Sequence, residues 1–169
     1  TSSLHQALRK QADRAVDRLS KLGVLSNHIV FKKLKLESIN QLSKKMKMVF
    51  YTTGQVLCKQ GAIADRLFIM ISGSVYVDIE NAKTGEIERV NTIVADKETD
   101  VVPIFGESCI IDEKEHRRTA TLIAAVDCQL MEIHKKSYFY LLSNDLLMDE
   151  TQDDSHENIS SLHKTLQKQ

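Results

Sequence analysis

Five of the six glycines in this chain, Gly54, Gly61, Gly73, Gly85 and Gly106, punctuate a run of short apolar segments that begins near Val49. The segments VFYTTGQVLCKQG, RLFIMISGSVYVDIE, GEIERVNTIV and TATLIAAVDCQLMEI are rich in β-branched and aromatic residues and are bounded by turn formers, so each reads as strand. VYVDI alternates apolar with polar residues, as a strand with one buried face does. RLFIMI is apolar almost throughout and is expected to be buried on both faces. NAKTGE, residues 81–86, is a hairpin turn. Many short strands with this punctuation fold as a β-sandwich or barrel.

Helical periodicity flanks this region. Leu4, Leu8, Ala12, Ala15, Leu19 and Leu22 recur at steps of three and four, which predicts an amphipathic helix over residues 3–22 that stops at Gly23. A second helical stretch is expected from Ile29 to about Lys35. A third runs from Ser38, as its cap, to about Met48, with Ile39, Leu42 and Met46 on one side. Helical spacing returns after Lys135 in SYFYLLSNDLLM, and the polar residues 149–169 keep Ile159, Leu162 and Leu166 in step. The expected fold class is α+β: helices, an antiparallel β-barrel of about eight strands, then helices.

Several functions are disfavoured. No apolar run approaches a membrane span, and no cleavable signal pattern opens the chain. Cys58, Cys109 and Cys128 are odd in number and widely spaced, which fits a reducing compartment and a cytoplasmic location rather than a disulfide scaffold or zinc site. Residues 1–50 carry eleven Lys and Arg against three Asp and Glu, and residues 143–169 carry two against six. These read as solvated helix surfaces. With no aromatics among the basic residues, nucleic acid is not an expected partner. The six histidines are scattered without an H-x-H pair, so no metal is expected. No nucleophile elbow, P-loop or HExxH is present, so no catalytic residues are assigned and the chain is not expected to be an enzyme.

The most informative stretch is FGESCIIDEKEHRRTATLIA, residues 105–124. Gly106 lets the backbone turn and leaves room for close approach. Glu107 to Ile111 can form one helical turn whose free N–H groups suit an anion. Arg118 follows on the next strand, where its fork can hold a phosphate through two bonds. Glu107 beside an anion makes sense if the ligand also offers hydroxyls, as a ribose does. The bland alternatives are an exposed strand or a kinase target for Arg117-Arg118-Thr119, a favourable helix-start charge for Glu107, and a small buried filler for Cys109.

This stretch resembles the phosphate-binding cassette of cyclic nucleotide-binding domains, in which Phe-Gly-Glu and a short apolar helix precede Arg-x-Ala-Thr/Ser. TTGQVL, CKQG and FIMISGSV are similar to that family's glycine frame, so the likeness covers about residues 29–166. It implies a jelly-roll, or double-stranded β-helix, barrel. Residues 1–35 would be a helical lead-in, 36–142 the binding barrel with its cassette at 105–121, and 143–169 a lid region. The implied ligand-binding residues are Phe105, Gly106, Glu107, Ser108, Cys109, Arg118, Thr119, Ala120 and Thr121. Glu107 would take the ribose 2′-hydroxyl, and Arg118 with the backbone N–H groups of Gly106 to Cys109 the cyclic phosphate. Thr119 and Thr121 would face the phosphate or base edge, and Leu162 or Leu166 would serve as the lid.

The resemblance further implies a regulatory ligand, cAMP or cGMP, and no cofactor. Expected partners are the nucleotide, other domains of the same polypeptide, and a homo-oligomer through the helical segments. The cassette wording is channel-like, so the favoured setting is the cytosolic part of a membrane transport protein. The alternatives are the regulatory domain of a kinase or exchange factor, or a ligand-free assembly platform. Two departures motivate that platform: Val102-Pro103-Ile104 replaces the family's leading glycine, and DEKEH lengthens the cassette by about two residues. Asp112, Glu113 and Glu115 are expected to form a solvated bulge.

Overall fold

The computed structural model describes residues 2–21, 23, 28 and 31–152. Helix α1 (Ser2–Lys21) and α2 (Leu36–Lys45) precede strands β1 (Lys47–Tyr51), β2 (Val56–Cys58), β3 (Arg66–Glu80), β4 (Ile87–Ala95) and β5 (Ile104–Phe105). A 3-10 turn at Glu107–Ile110 leads to β6 (Thr121–Ala124), β7 (Cys128–His134) and α3 (Lys135–Gln152).

The strands make a curled antiparallel sheet ordered β1-β7-β3-β6-β2, with β4 and β5 also paired to β3. Seven strands are present among the described residues, where about eight were expected. The difference lies in the fifteen-residue β3, which does the work of two. Arg66 to Ser72 pair with β7, and Gly73 to Glu80 pair with β4. The strand changes partners at Gly73, whose φ is 109°. A Cβ there would lie 2.7 Å from Cys128 Sγ and 2.8 Å from the Asp127 carbonyl oxygen, so only glycine fits the crossover.

The run RLFIMI is buried on both faces, as its unbroken apolarity predicts. Leu67, Ile69 and Ile71 join the core under the helices, with Leu19, Phe31, Leu42, Met131, Ile133 and Leu141. Phe68 and Met70 point the other way, into the curl, with Val75, Phe105, Leu122 and Leu130. Burying one such Leu or Phe side chain stabilises the fold by about 1.5–3 kcal/mol, which makes β3 the spine of both cores.

The helices depart from expectation at their ends. Helix α1 buries Ala15 and Leu19 but leaves Leu4 60% exposed. Phe31 to Leu34 form turns rather than helix, while Ile29 and Val30 lie outside the described residues. Helix α2 begins at Leu36 and stops at Lys45, and Met48 belongs to β1. Ile39, Leu42 and Met46 are buried as one side, as their spacing indicates. Ser38 is not the cap. Lys35 occupies that position, and its side chain makes no capping hydrogen bond. The capping carboxylate comes from α3: Asp145 accepts from the Lys35 N–H at 2.8 Å and from the Ser38 hydroxyl. Of the expected C-terminal helical region, Lys135 to Gln152 form α3 and residues 153–169 lie outside the described residues.

Candidate functional site

Strand β5 ends at Gly106, whose backbone is left-handed at φ 76° and opens the turn Glu107–Ile110. A Cβ on Gly106 would lie 2.8 Å from Arg118 Nη1 and 3.2 Å from Phe68 Cδ2. Glycine is therefore what lets the guanidinium seat beneath the turn. Arg118 is only 6% exposed. Its Nη1 donates to the Gly106 carbonyl at 3.2 Å and its Nη2 to the Arg66 carbonyl at 2.5 Å. The Phe68 ring, stacked on Phe105 at 5.4 Å, lies 5.6 Å from Arg118 Cζ. The Arg118 backbone is held separately: its N–H donates to Ala62 and its carbonyl accepts from Gly61, both at 2.8 Å.

Among the described residues, Arg118 Nε has no partner, and none of the guanidinium bonds is to a carboxylate. A cation that leaves water without gaining a counter-charge carries a cost on the order of several kcal/mol. An anion arriving at this point removes that imbalance. The turn is four residues long, too short for a substantial macrodipole. The fixed positive charge here is Arg118.

A cavity of about 370 Å³ opens beside it. Phe105, Gly106, Glu107, Ser108, Arg118, Thr119 and Ala120 line it, all marked in the sequence. The Glu107 side chain is 44% exposed, and His28 Nε2 sits 3.9 Å from its Oε2. Two marked residues are not in the lining. Cys109 is fully buried and its Sγ donates to the Gly106 carbonyl at 3.3 Å, while burial pushes its thiol pKa up. It packs the turn from below. Thr121 Oγ1 accepts the Gln60 N–H at 3.0 Å. Strand alternation sends Thr121 and Leu122 to opposite faces, and Leu122 takes the cavity side. Leu162 and Leu166 lie outside the described residues.

The sequence reading missed the rest of the wall: Cys58, Val77, Asn91, Ile93 and Leu122. Alternation in VYVDI and VNTIV carried the signal for Val77, Asn91 and Ile93. Cys58 had none, because the register of β2 against β6 slips between Val56 and Cys58.

The charged insert turns away from Arg118. Asp112 accepts the Lys114 N–H at 2.9 Å and contacts His116 Nε2 at 2.7 Å, and the His116 hydrogen bond holds its carboxyl below the usual range. Glu115 pairs with Arg117 at 3.0 Å. Glu113 and Glu115 line a different and larger cavity, about 600 Å³, with Ile63, Phe139 and Tyr140. That cavity has an apolar wall and charges of both signs. The buried cation without a counter-charge sits in the smaller one.

The family model for the cyclic nucleotide-binding domain matches residues 48–145. Among curated proteins, a cGMP-dependent protein kinase of Eimeria tenella is 26% identical over 136 residues, which is 80% of this chain and 12% of the kinase. Among solved structures, the regulatory domain of Toxoplasma gondii PKA, co-crystallised with cAMP, is similar with a TM-score of 0.62 at 19% identity. That likeness covers 87% of this chain and 52% of that one. A cyclic nucleotide-binding-like protein of Brucella abortus reaches 0.59 at 18% identity, over 75% of this chain and 98% of its own. At these identities the solved structures bear on the fold alone. The chain spans about an eighth of the curated relative's length.

Proposed function

The chain belongs to the cyclic nucleotide-binding domain family, and from that premise we propose that it is the cAMP- or cGMP-sensing regulatory module of a larger protein. The observation that carries this reading is Arg118, buried at a cavity wall, its guanidinium hydrogen-bonded among the described residues only to carbonyls, with Glu107 lining the same cavity. The cyclic phosphate supplies the missing counter-charge through two guanidinium bonds. Glu107 accepts from a ribose hydroxyl. The apolar wall of Val77, Ile93 and Leu122 takes the base.

Binding is regulation rather than chemistry. The ligand shifts the helices only as far as its affinities for the two arrangements differ. The turn and α3 are in contact, so a phosphate that draws Arg118 and the turn together acts on α3. Asp145 ties α3 to α2, so both helices respond together. The output lies in other domains of the polypeptide. Kinase regulation fits two of the relatives named above, the Eimeria tenella kinase and the Toxoplasma gondii PKA regulatory domain. No helix among the described residues is long and apolar enough to cross a membrane.

Calorimetric titration with cAMP and with cGMP tests the reading directly. One or both bind the unaltered chain, and Arg118→Ala weakens binding by roughly 2–5 kcal/mol, about thirtyfold or more in Kd. An Arg118→Ala variant that binds like the parent refutes the phosphate assignment. A folded chain that binds neither nucleotide at millimolar concentration leaves the assembly platform as the better reading.

A further inference from the structure

The same cavity holds one thiol that the proposed binding does not use. Cys58 lines it beside Arg118 and Leu122. The register slip in β2 is what brings it there: Val56 is 42% exposed, yet both Leu57 and Cys58 pack toward the core inside the curl. Unbroken alternation from Val56 would have turned Cys58 outward. All three cysteines are free, but Cys109 and Cys128 are only 0% and 3% exposed, whereas Cys58 is half-buried at the cavity wall. Arg118 marks that cavity as a ligand site independently, being 6% exposed with an Nε that has no partner among the described residues. Burial pushes the Cys58 thiol up, and the Arg118 charge opposes that push. The thiol stays raised on balance, so what sets Cys58 apart from the two buried cysteines is its access from the cavity.

We propose that Cys58 is a modification site for small-molecule disulfides, and that its modification and nucleotide binding exclude one another. The proposal rests on the cyclic-nucleotide reading of the cavity. In the exchange, the Cys58 thiolate attacks one sulfur of the disulfide. The old S–S bond breaks and a Cys58 S–S bond forms. The departing half leaves as a thiolate and takes up the proton that Cys58 gave up. The Cys58 sulfur is oxidised and the departing sulfur reduced. The adduct fills space in a cavity of about 370 Å³ and shuts the ligand out. Bound ligand in turn covers the thiol and engages Arg118, removing both access and the charge that moderates the rise in the thiol pKa. A thiol reductant cuts the bond and reopens the site.

The test uses the full chain with oxidised glutathione as the probe, peptide mapping by mass spectrometry, and calorimetry with cAMP and cGMP. Cys58 is expected to form the mixed disulfide at least tenfold faster than Cys109 or Cys128. Saturating nucleotide is expected to slow it at least tenfold. The modified chain should bind nucleotide at least tenfold more weakly, with recovery in dithiothreitol, and Cys58→Ser should bind equally before and after treatment. Labelling at Cys58 no faster than at the two buried cysteines overturns the proposal, as does unchanged affinity after full modification. Either result leaves the functional reading standing. An unmodified chain that binds neither nucleotide overturns the functional reading and this proposal with it, whatever the labelling pattern.

Discussion

Asp145→Ala is the most informative single perturbation of the scaffold. Asp145 is 7% exposed, sits on α3, and caps α2 from outside it, accepting from the Lys35 N–H at 2.8 Å and from the Ser38 hydroxyl. Removing a capping carboxylate costs about 1 kcal/mol, within a range of about 0.5–2. Ser38 is itself 6% exposed, and a buried hydroxyl left without an acceptor costs about 1–3 kcal/mol more. The loss is therefore about 2–4 kcal/mol. For a chain of this length each kcal/mol moves Tm by about 2–4 °C, so Asp145→Ala should melt roughly 5–15 °C lower by circular dichroism. Asp145→Asn keeps one acceptor oxygen and should fall between parent and alanine. Adding Ser38→Ala to Asp145→Ala removes the stranded hydroxyl, so the double variant should lose less than the two single losses summed. A fall of under about 2 °C for Asp145→Ala, or full additivity of the pair, refutes this account of how α2 and α3 are joined.

Gly73→Ala should cost more than about 3 kcal/mol, because it adds left-handed strain to contacts of 2.7 and 2.8 Å with Cys128 Sγ and the Asp127 carbonyl; a variant with parental Tm would contradict the crossover geometry. Gly106→Ala should weaken nucleotide binding at least tenfold while the chain stays folded, since its Cβ would lie 2.8 Å from Arg118 Nη1, and calorimetry beside circular dichroism checks both halves of that statement. Tyr51 is pushed up to about 12, first by burial and then by the hydrogen bond it donates to Glu132 at 2.9 Å. The folded chain thus holds this proton more tightly than the unfolded chain, where tyrosine titrates near 10. Its contribution to stability is present in full below about pH 10 and is lost as pH rises toward 12. Tyrosinate absorbance should show Tyr51 ionising late, and Tyr51→Phe should flatten the decline in stability over that window.

Much of the scaffold and of the site was legible because it rests on short-range rules. The unbroken apolarity of RLFIMI foretold a strand buried on both faces, and residues 81–86 foretold the β3–β4 hairpin. Phe105-Gly106-Glu107 and Arg118 were legible as a pair because residue chemistry and spacing alone suggest a phosphate beside a hydroxyl. The misses share one physical cause, which is long-range partnership. Ser38 looked like a cap because its true role depends on Asp145, distant in sequence and adjacent in space. Thr121 lies outside the cavity lining because strand alternation gives that side to Leu122, while its Oγ1 accepts from the Gln60 N–H. Cys58 became a cavity wall through a register slip that no local pattern encodes.

The sequence by itself determined the strand and helix periods, the glycine positions at the two points where a Cβ cannot fit, and the residue types gathered in the cassette, since each follows from backbone sterics and local alternation. Only the tertiary structure decided that β3 serves as two strands, that the acids of the insert turn away from Arg118, and that among the described residues the guanidinium hydrogen-bonds only to the carbonyls of Gly106 and Arg66. The reason is that a charge is defined by what surrounds it. Residues 66, 106 and 118 reach one point only after the sheet has curled, and there burial turns an ordinary arginine into a cation in want of an anion.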